Sequence, residues 1–243
     1  MIRTDGYIRT VAFRDPDEWD SGQFPFTLAP VRDIESLEFD PSVTFFVGEN
    51  GSGKSTILEA LAVVLELNPE GGSRHLTFED RPGLSGLHEH IRPVRNPRCP
   101  KDAFFLRAES FFNVATELEK LGGPAMRPYG GISPHDQSHG ESFLRLVANR
   151  FGPNGLYLLD EPEAALSPKG QLSFLKRLND LVEGGAQFII ATHSPILMAY
   201  PEATIYQFSE AGLDPVEFEE TEHFELYRNF LDSPERFFRH LFD

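Results

Sequence analysis

Val43-Thr44-Phe45-Phe46-Val47 runs without a break into Gly48-Glu49-Asn50-Gly51-Ser52-Gly53-Lys54-Ser55-Thr56. The first five residues are β-branched or aromatic and include no charge, as expected for a strand buried on both faces of a parallel sheet. The next nine fit G-x-x-x-x-G-K-[ST]. Leu58, Leu61, Ala62 and Leu65 then recur at helical spacing, predicting a helix over Ser55 to Leu67. Strand, glycine loop and helix together are the context in which this pattern cradles phosphates. The glycines let backbone N–H groups turn inward toward phosphate oxygens, and the helix adds the positive end of its dipole. Gly48, Asn50, Gly51, Ser52, Gly53, Lys54, Ser55 and Thr56 form the expected phosphate-contacting set. Lys54 is expected on the β- and γ-phosphates and the Ser55 hydroxyl on Mg²⁺. A glycine-rich turn that only caps a helix is the simpler alternative.

Further buried strands flank this unit. Gly155-Leu156-Tyr157-Leu158-Leu159-Asp160 ends in an acid, and Phe188-Ile189-Ile190-Ala191-Thr192 ends beside His193. Ala103 to Arg107 and Ala203 to Phe208 are further strand candidates, with shorter ones at Tyr7 to Phe13 and Ile34 to Phe39. Helices are expected over Phe111 to Leu121, after Ser142 and over Gln171 to Leu181. Alternation of strands and helices predicts an α/β fold with a mainly parallel sheet covered on both faces. Asn68 to about Pro100 is rich in Pro, Gly, His and Arg with weak periodicity, and reads as an insertion at the sheet edge.

A phosphate loop that handles Mg²⁺ needs a carboxylate. Asp160, at the end of a buried strand, is placed to hold the metal directly or through water. Glu161, one residue on, can polarise an attacking water as general base. Taken alone, two acids after an apolar run are also an ordinary strand end with a helix start following. His193 can orient the water or a neighbouring backbone group, and a strand-end histidine bonded for purely structural reasons is its plain alternative.

The 243 residues carry 22 Lys and Arg against 38 Asp and Glu, a formal net charge of −16. That balance disfavours a broad nucleic-acid face, which needs clustered cations to displace counterions. Arg92, Arg95, Arg98 and Lys101 still allow a local basic patch, so direct nucleic-acid binding stays open. One cysteine, Cys99, allows no internal disulfide. The polar start shows no signal peptide, and no run is long enough for a transmembrane segment, so a cytoplasmic location is expected.

Four blocks occur in a characteristic order: Gly48 to Ser55; Ser138-His139-Gly140-Glu141; Leu159-Asp160-Glu161-Pro162-Glu163-Ala164-Ala165-Leu166-Ser167; and Thr192-His193-Ser194. The chain resembles the ABC ATPase superfamily, in which these are the Walker A loop, the signature, Walker B with the D-loop, and the switch histidine. It looks most like a small soluble branch akin to the SMC and recombination ATPases. The resemblance implies one ABC-type domain over 1–243, with an antiparallel edge and a small helical signature subdomain within an insertion over 68–135. It implies ATP and Mg²⁺ as cofactors, catalytic roles for Glu161 and His193, and a homodimer that sandwiches ATP head to tail. In that dimer Ser138 and Gly140 reach the γ-phosphate held by the other copy. The usual L-S-G-G-Q reads Gln137-Ser138-His139-Gly140-Glu141 here, a departure at the His and Glu. Glu109 is the positional match to the family's Q-loop metal residue, although no Gln stands there. Trp19, Phe24 and Phe26 are candidates for stacking on adenine.

Three functions compete: an ATP hydrolase whose dimer switches an unidentified protein partner, the ATP-binding subunit of a membrane transporter, and a binding module with negligible turnover. The filled general-base position speaks against the last, and the altered signature and Q-loop against the second. DNA repair or defence is a reading at family level only. A small-molecule kinase shares the phosphate loop, but Asp160-Glu161 followed by Thr192-His193 fits hydrolysis better. No Asn-Lys-x-Asp or Thr-Lys-x-Asp segment reads guanine, which leaves ATP as the expected nucleotide.

Overall fold

The computed structural model describes residues 6–14, 22–69, 71–72, 85–111 and 138–242. In chain order the described elements are β1 (Ile8–Phe13), α1 (Ala29–Arg32), β2 (Ser36–Glu38), β3 (Val43–Gly48), α2 (Lys54–Val64), β4 (Ile91–Arg95) and β5 (Asp102–Arg107). They continue with α3 (His139–Arg150), β6 (Gly155–Asp160), α4 (Pro168–Glu183), β7 (Gln187–Ala191), α5 (Pro195–Met198), β8 (Thr204–Ser209), β9 (Gly212–Val216), α6 (Glu222–Asp232) and α7 (Pro234–Leu241).

The main sheet has the order β5-β6-β7-β3-β8-β9, parallel except for the antiparallel β8–β9 edge. The α/β expectation with a mainly parallel sheet is met. Side-chain parity explains its two cores. Val43, Phe45 and Val47 of β3, Tyr157 and Leu159 of β6, and Phe188 and Ile190 of β7 pack with Phe143 and Leu146 of α3 and Phe174 and Leu178 of α4. The alternate residues Phe46, Leu156, Leu158 and Ile189 pack with Ile57, Leu58 and Leu61 of α2 and with Ile8, Val11 and Leu37 of a second sheet. Asp160 continues the parity of Leu156 and Leu158, so it emerges on the α2 side.

The second sheet is three-stranded and antiparallel, in the order β2-β1-β4. Residues 91–95, part of the stretch with weak periodicity, form its edge strand; Pro93 is tolerated because an edge strand has one unpaired side. Two arginines of this stretch are drawn into structural contacts. Arg95 donates to Val64 O (3.2 Å), and Arg98 bonds Asn154 Oδ1 while lying over the Tyr7 ring.

Gln187, wholly buried in β7, joins the two sheets. Its Oε1 accepts from Tyr7 N (2.7 Å) and Ile8 N (3.0 Å), and its Nε2 donates to Ile8 O (2.8 Å) and Asp40 O (2.9 Å). A Cβ on Gly6 would stand 2.7 Å from that Nε2, so the chain passes the amide only as glycine. Gln187→Met keeps the volume but strands buried backbone groups, each costing about 1–3 kcal/mol. The expected loss is about 3 kcal/mol of unfolding free energy, read as a lower denaturant midpoint at unchanged slope.

The predicted helix from Phe111 lies, from residue 112 on, outside the described residues, as do the Gly/Pro-rich link to Pro134, Gln137 and Trp19. The sequence reading stops at Phe208; the structure continues into β9, α6 and α7. Among the described residues no helix is long and apolar enough to cross a membrane.

Candidate functional site

The C-terminal ends of β3, β5, β6 and β7 meet at one edge of the main sheet, where α/β folds bind ligands. At the end of β3 the chain turns through Gly48 (φ 141°), Gly51 (φ 79°) and Gly53 (φ 105°) before α2 begins at Lys54. Gly53 is the N-cap of α2, and a Cβ there would meet Leu28 Cδ1 at 3.0 Å as well as adopt a left-handed backbone. Lys54 is buried, and its Nζ donates to Gly48 O and Glu49 O, both at 2.8 Å. Burial pushes its pKa down, opposed by the carboxylates of Glu161, Asp160, Glu163 and Glu49. The predicted phosphate loop is thus a formed loop at a helix N-terminus with its ammonium drawn inward; Glu49, Asn50 and Gly51 are exposed at its tip.

Asp160 Oδ1 accepts from Ser55 Oγ at 2.9 Å, although the two residues lie far apart in sequence. Burial raises the Asp160 pKa to about 6, opposed by Arg107 and the Ser55 hydrogen bond. A half-buried hydroxyl paired with a buried carboxylate beside a phosphate loop fits a small hard cation, since Mg²⁺ is typically held by one or two protein oxygens together with substrate phosphates and water.

Arg107 is the group the sequence reading missed here. Parallel register sets Arg107 opposite Asp160. Its Nε lies 3.4 Å from Asp160 Oδ2, and its Nη1 donates to Glu59 Oε1 of α2 at 2.7 Å. Glu109, the expected Q-loop residue, is exposed on the turn after β5. The side chain from this strand that reaches Asp160 is that of Arg107.

Glu161 adopts a left-handed backbone (φ 50°), with its N–H on Ala191 O at 2.9 Å. Its Oε1 lies 3.4 Å from His193 Nε2. The loop carrying His193 is pinned on several sides. Thr192 N donates to Phe46 O (3.0 Å), His193 N to Glu163 Oε1 (2.6 Å), and Ser194 Oγ to Gln171 Oε1 (2.5 Å). Glu163 thereby ties the segment after β6 to the segment after β7, and burial raises its pKa. On the other ring nitrogen, His193 Nδ1 stands 3.0 Å from Nε2 of His223 in α6. Glu163 stood in a quoted block with no role of its own; His223 lies on a helix that sequence reading did not resolve.

Ser138 is the exposed N-cap of α3. Its Oγ donates to Glu141 Oε2 at 2.7 Å and accepts from Glu141 N at 3.3 Å, a reciprocal cap. The Glu that departs from the usual signature therefore braces the serine. A Cβ on Gly140 would meet Ala165 O at 3.1 Å, so α3 closes on the segment after Glu161. Of the aromatic candidates, Phe26 is buried edge-on against His90 and Phe24 is exposed.

Lys54, Ser55, Asp160, Glu161 and His193 are thus brought to one sheet edge, whereas Ser138 bonds within its own helix. Such a set can bind phosphate, hold a hard cation and activate a water.

Residues 23–84 match the family described as "AAA domain", and residues 129–199 match "AAA domain, putative AbiEii toxin, Type IV TA system". Among curated proteins, the cytochrome c biogenesis ATP-binding export protein CcmA of Mesorhizobium japonicum is 30% identical over 162 residues, covering 61% of this chain and 77% of the relative. CcmA of Rhodopseudomonas palustris is 30% identical over 168 residues, covering 65% and 82%. Among solved structures, an ATP-binding cassette of an ABC transporter in its ADP conformation superposes with a TM-score of 0.52 at 16% identity, covering 93% of this chain and 99% of the other.

Proposed function

This chain belongs to the ABC superfamily of ATPases, and from that premise we propose that it hydrolyses Mg-ATP in a head-to-tail dimer whose closing and opening switches a partner protein. ATP binding and hydrolysis come with the family; the metal, the dimer and the residue roles are the proposal. The observation that carries it is the 2.9 Å pairing of Ser55 with Asp160 beside buried Lys54, with Glu161 and His193 on the next turn and the next strand end.

In this reading the backbone amides from Gly48 to Thr56 and the Lys54 ammonium hold the phosphates. Ser55 and Asp160 hold Mg²⁺, which when bound neutralises charge that develops on the phosphoryl oxygens. Glu161 takes the proton of the attacking water, and His193 orients Glu161 and the water. Ser138 and Gly140 complete the site on the other copy. The braced Ser138 hydroxyl and the amides at the start of α3 form a suitable anion contact.

A composite site makes turnover depend on chain concentration. Activity per chain is expected to rise with concentration and level off as dimer forms, and to vanish with EDTA. Constant activity per chain at dilutions where sedimentation finds only monomer would rule out the shared site.

The CcmA relatives favour a second reading, an ATP-binding subunit of an exporter. Capture of a membrane-embedded subunit with the chain would support that reading over a soluble partner.

A further inference from the structure

The contact between His193 and His223 has a direction that the remaining ring nitrogens decide. The imidazoles meet at 3.0 Å from His193 Nδ1 to His223 Nε2, with ring centroids 5.2 Å apart. Among the described residues, the buried His193 Nε2 has Glu161 Oε1, at 3.4 Å, as its facing acceptor but makes no closer hydrogen bond, and the buried His223 Nδ1 has no hydrogen-bond partner. Burial lowers the pKa of both histidines; Lys54 adds to this for His193, against the pull of Glu161, and His193 adds to it for His223. A neutral imidazole carries one N–H, so one ring must donate in the shared contact and the other accept.

If His193 donated, its Nε2 would turn a bare lone pair on the Glu161 carboxylate. His223 would then carry its proton on Nδ1, a buried N–H without an acceptor. If His223 donates, both conflicts disappear. His193 Nε2–H faces the Glu161 carboxylate at 3.4 Å, and the orphan left on His223 is an acceptor, the less costly kind.

His223 is also held firmly. It sits in the first turn of α6, whose N-cap Thr221 is fully buried and accepts from Phe224 N at 3.2 Å while donating to Phe218 O at 2.8 Å. The next-door Glu222 accepts from Gln207 Nε2 of β8 at 3.4 Å.

We infer that His223 is a positioning residue for hydrolysis: its Nε2–H, donated to His193 Nδ1, holds His193 in the tautomer that presents Nε2–H to Glu161. This rests on the reading of His193 and Glu161 given under the proposed function. The same logic governs metal-bound and triad histidines, where the bond at one nitrogen sets the state of the other.

The test compares His223→Phe, which fills the space without a donor, with His223→Gln, whose amide keeps an N–H near the same place. His223→Phe is expected to lower kcat by about tenfold to a hundredfold at little-changed ATP KM, the scale of lost outer-shell partners. His223→Gln should recover most of the rate. In a His193→Ala background, His223→Phe should cost nothing further, because it acts through the imidazole already removed. Wild-type kcat in His223→Phe, equal impairment in Phe and Gln, or an additive loss in the double variant each overturns the inference. His193→Ala with undiminished turnover removes the underlying reading as well; impaired His193→Ala beside unimpaired His223→Phe removes the inference alone. Should His223→Phe fail to fold, ¹⁵N spectra of the unaltered protein decide. A protonated Nε2 and bare Nδ1 on His193 support the assignment, and the reverse refutes it.

Discussion

Lys54→Ala is expected to weaken ATP binding by about a hundredfold or more, the largest change in affinity anticipated for this chain. Removing one partner of a buried, hydrogen-bonded charge contact costs about 2–5 kcal/mol, and about 1.4 kcal/mol is a factor of ten. The ammonium's neighbours in the loop are the carbonyls of Gly48 and Glu49, and the other charges acting on it are the carboxylates of Glu161, Asp160, Glu163 and Glu49. Without Lys54 an incoming triphosphate meets those acids with the nearest ammonium gone and Arg107 countering Asp160 alone. Titration calorimetry with ATP on the folded variant measures the effect. Unchanged affinity would show that Lys54 serves only to close the loop onto its own carbonyls.

Glu161→Gln is expected to lower kcat by about 10²- to 10⁴-fold while ATP affinity stays within a few-fold, the signature of losing a general base. Gln matches Glu in shape, so the turn after β6 and the N–H bond to Ala191 O remain available. With hydrolysis slowed, the ATP-bound dimer should accumulate, and light scattering with Mg-ATP should report twice the monomer mass. Turnover near the unaltered rate would remove Glu161 from the base role. A slow variant that stayed monomeric would instead remove the head-to-tail arrangement.

The central fold was legible because its strands are buried on both faces. Such strands are written as unbroken apolar runs, and the strand over Gly155–Asp160 could be bounded to the residue. Its terminal Asp160 was readable as a site residue for the same reason: a charge that ends an apolar strand must sit at the sheet edge. The small sheet was harder. Its strand at Ile91–Arg95 carries Pro93 and two arginines, because much of an edge strand faces water and needs no apolar alternation. The C-terminal helices lie on the surface, with no buried residue in either, so local sequence gave little sign of them.

The site divides in the same way. Residues within one loop, from Gly48 to Thr56, announce themselves by spacing. Contacts that depend on register or on tertiary approach do not. Arg107 reaches Asp160 only because β5 and β6 run parallel in register, which neither strand states alone. His223 meets His193 from a helix thirty residues on in the chain.

The left-handed backbone at Glu161 sets the chemistry proposed for this position against the stability of the fold. For a residue with a Cβ that conformation costs about 1–2 kcal/mol, whereas glycine adopts it freely and asparagine readily. Folding alone would therefore choose Gly or Asn after Asp160, and either choice would remove the carboxylate proposed to activate water. Variants drifting toward greater thermal stability have a short path to an inert protein at this one codon. Retaining turnover means carrying the strain.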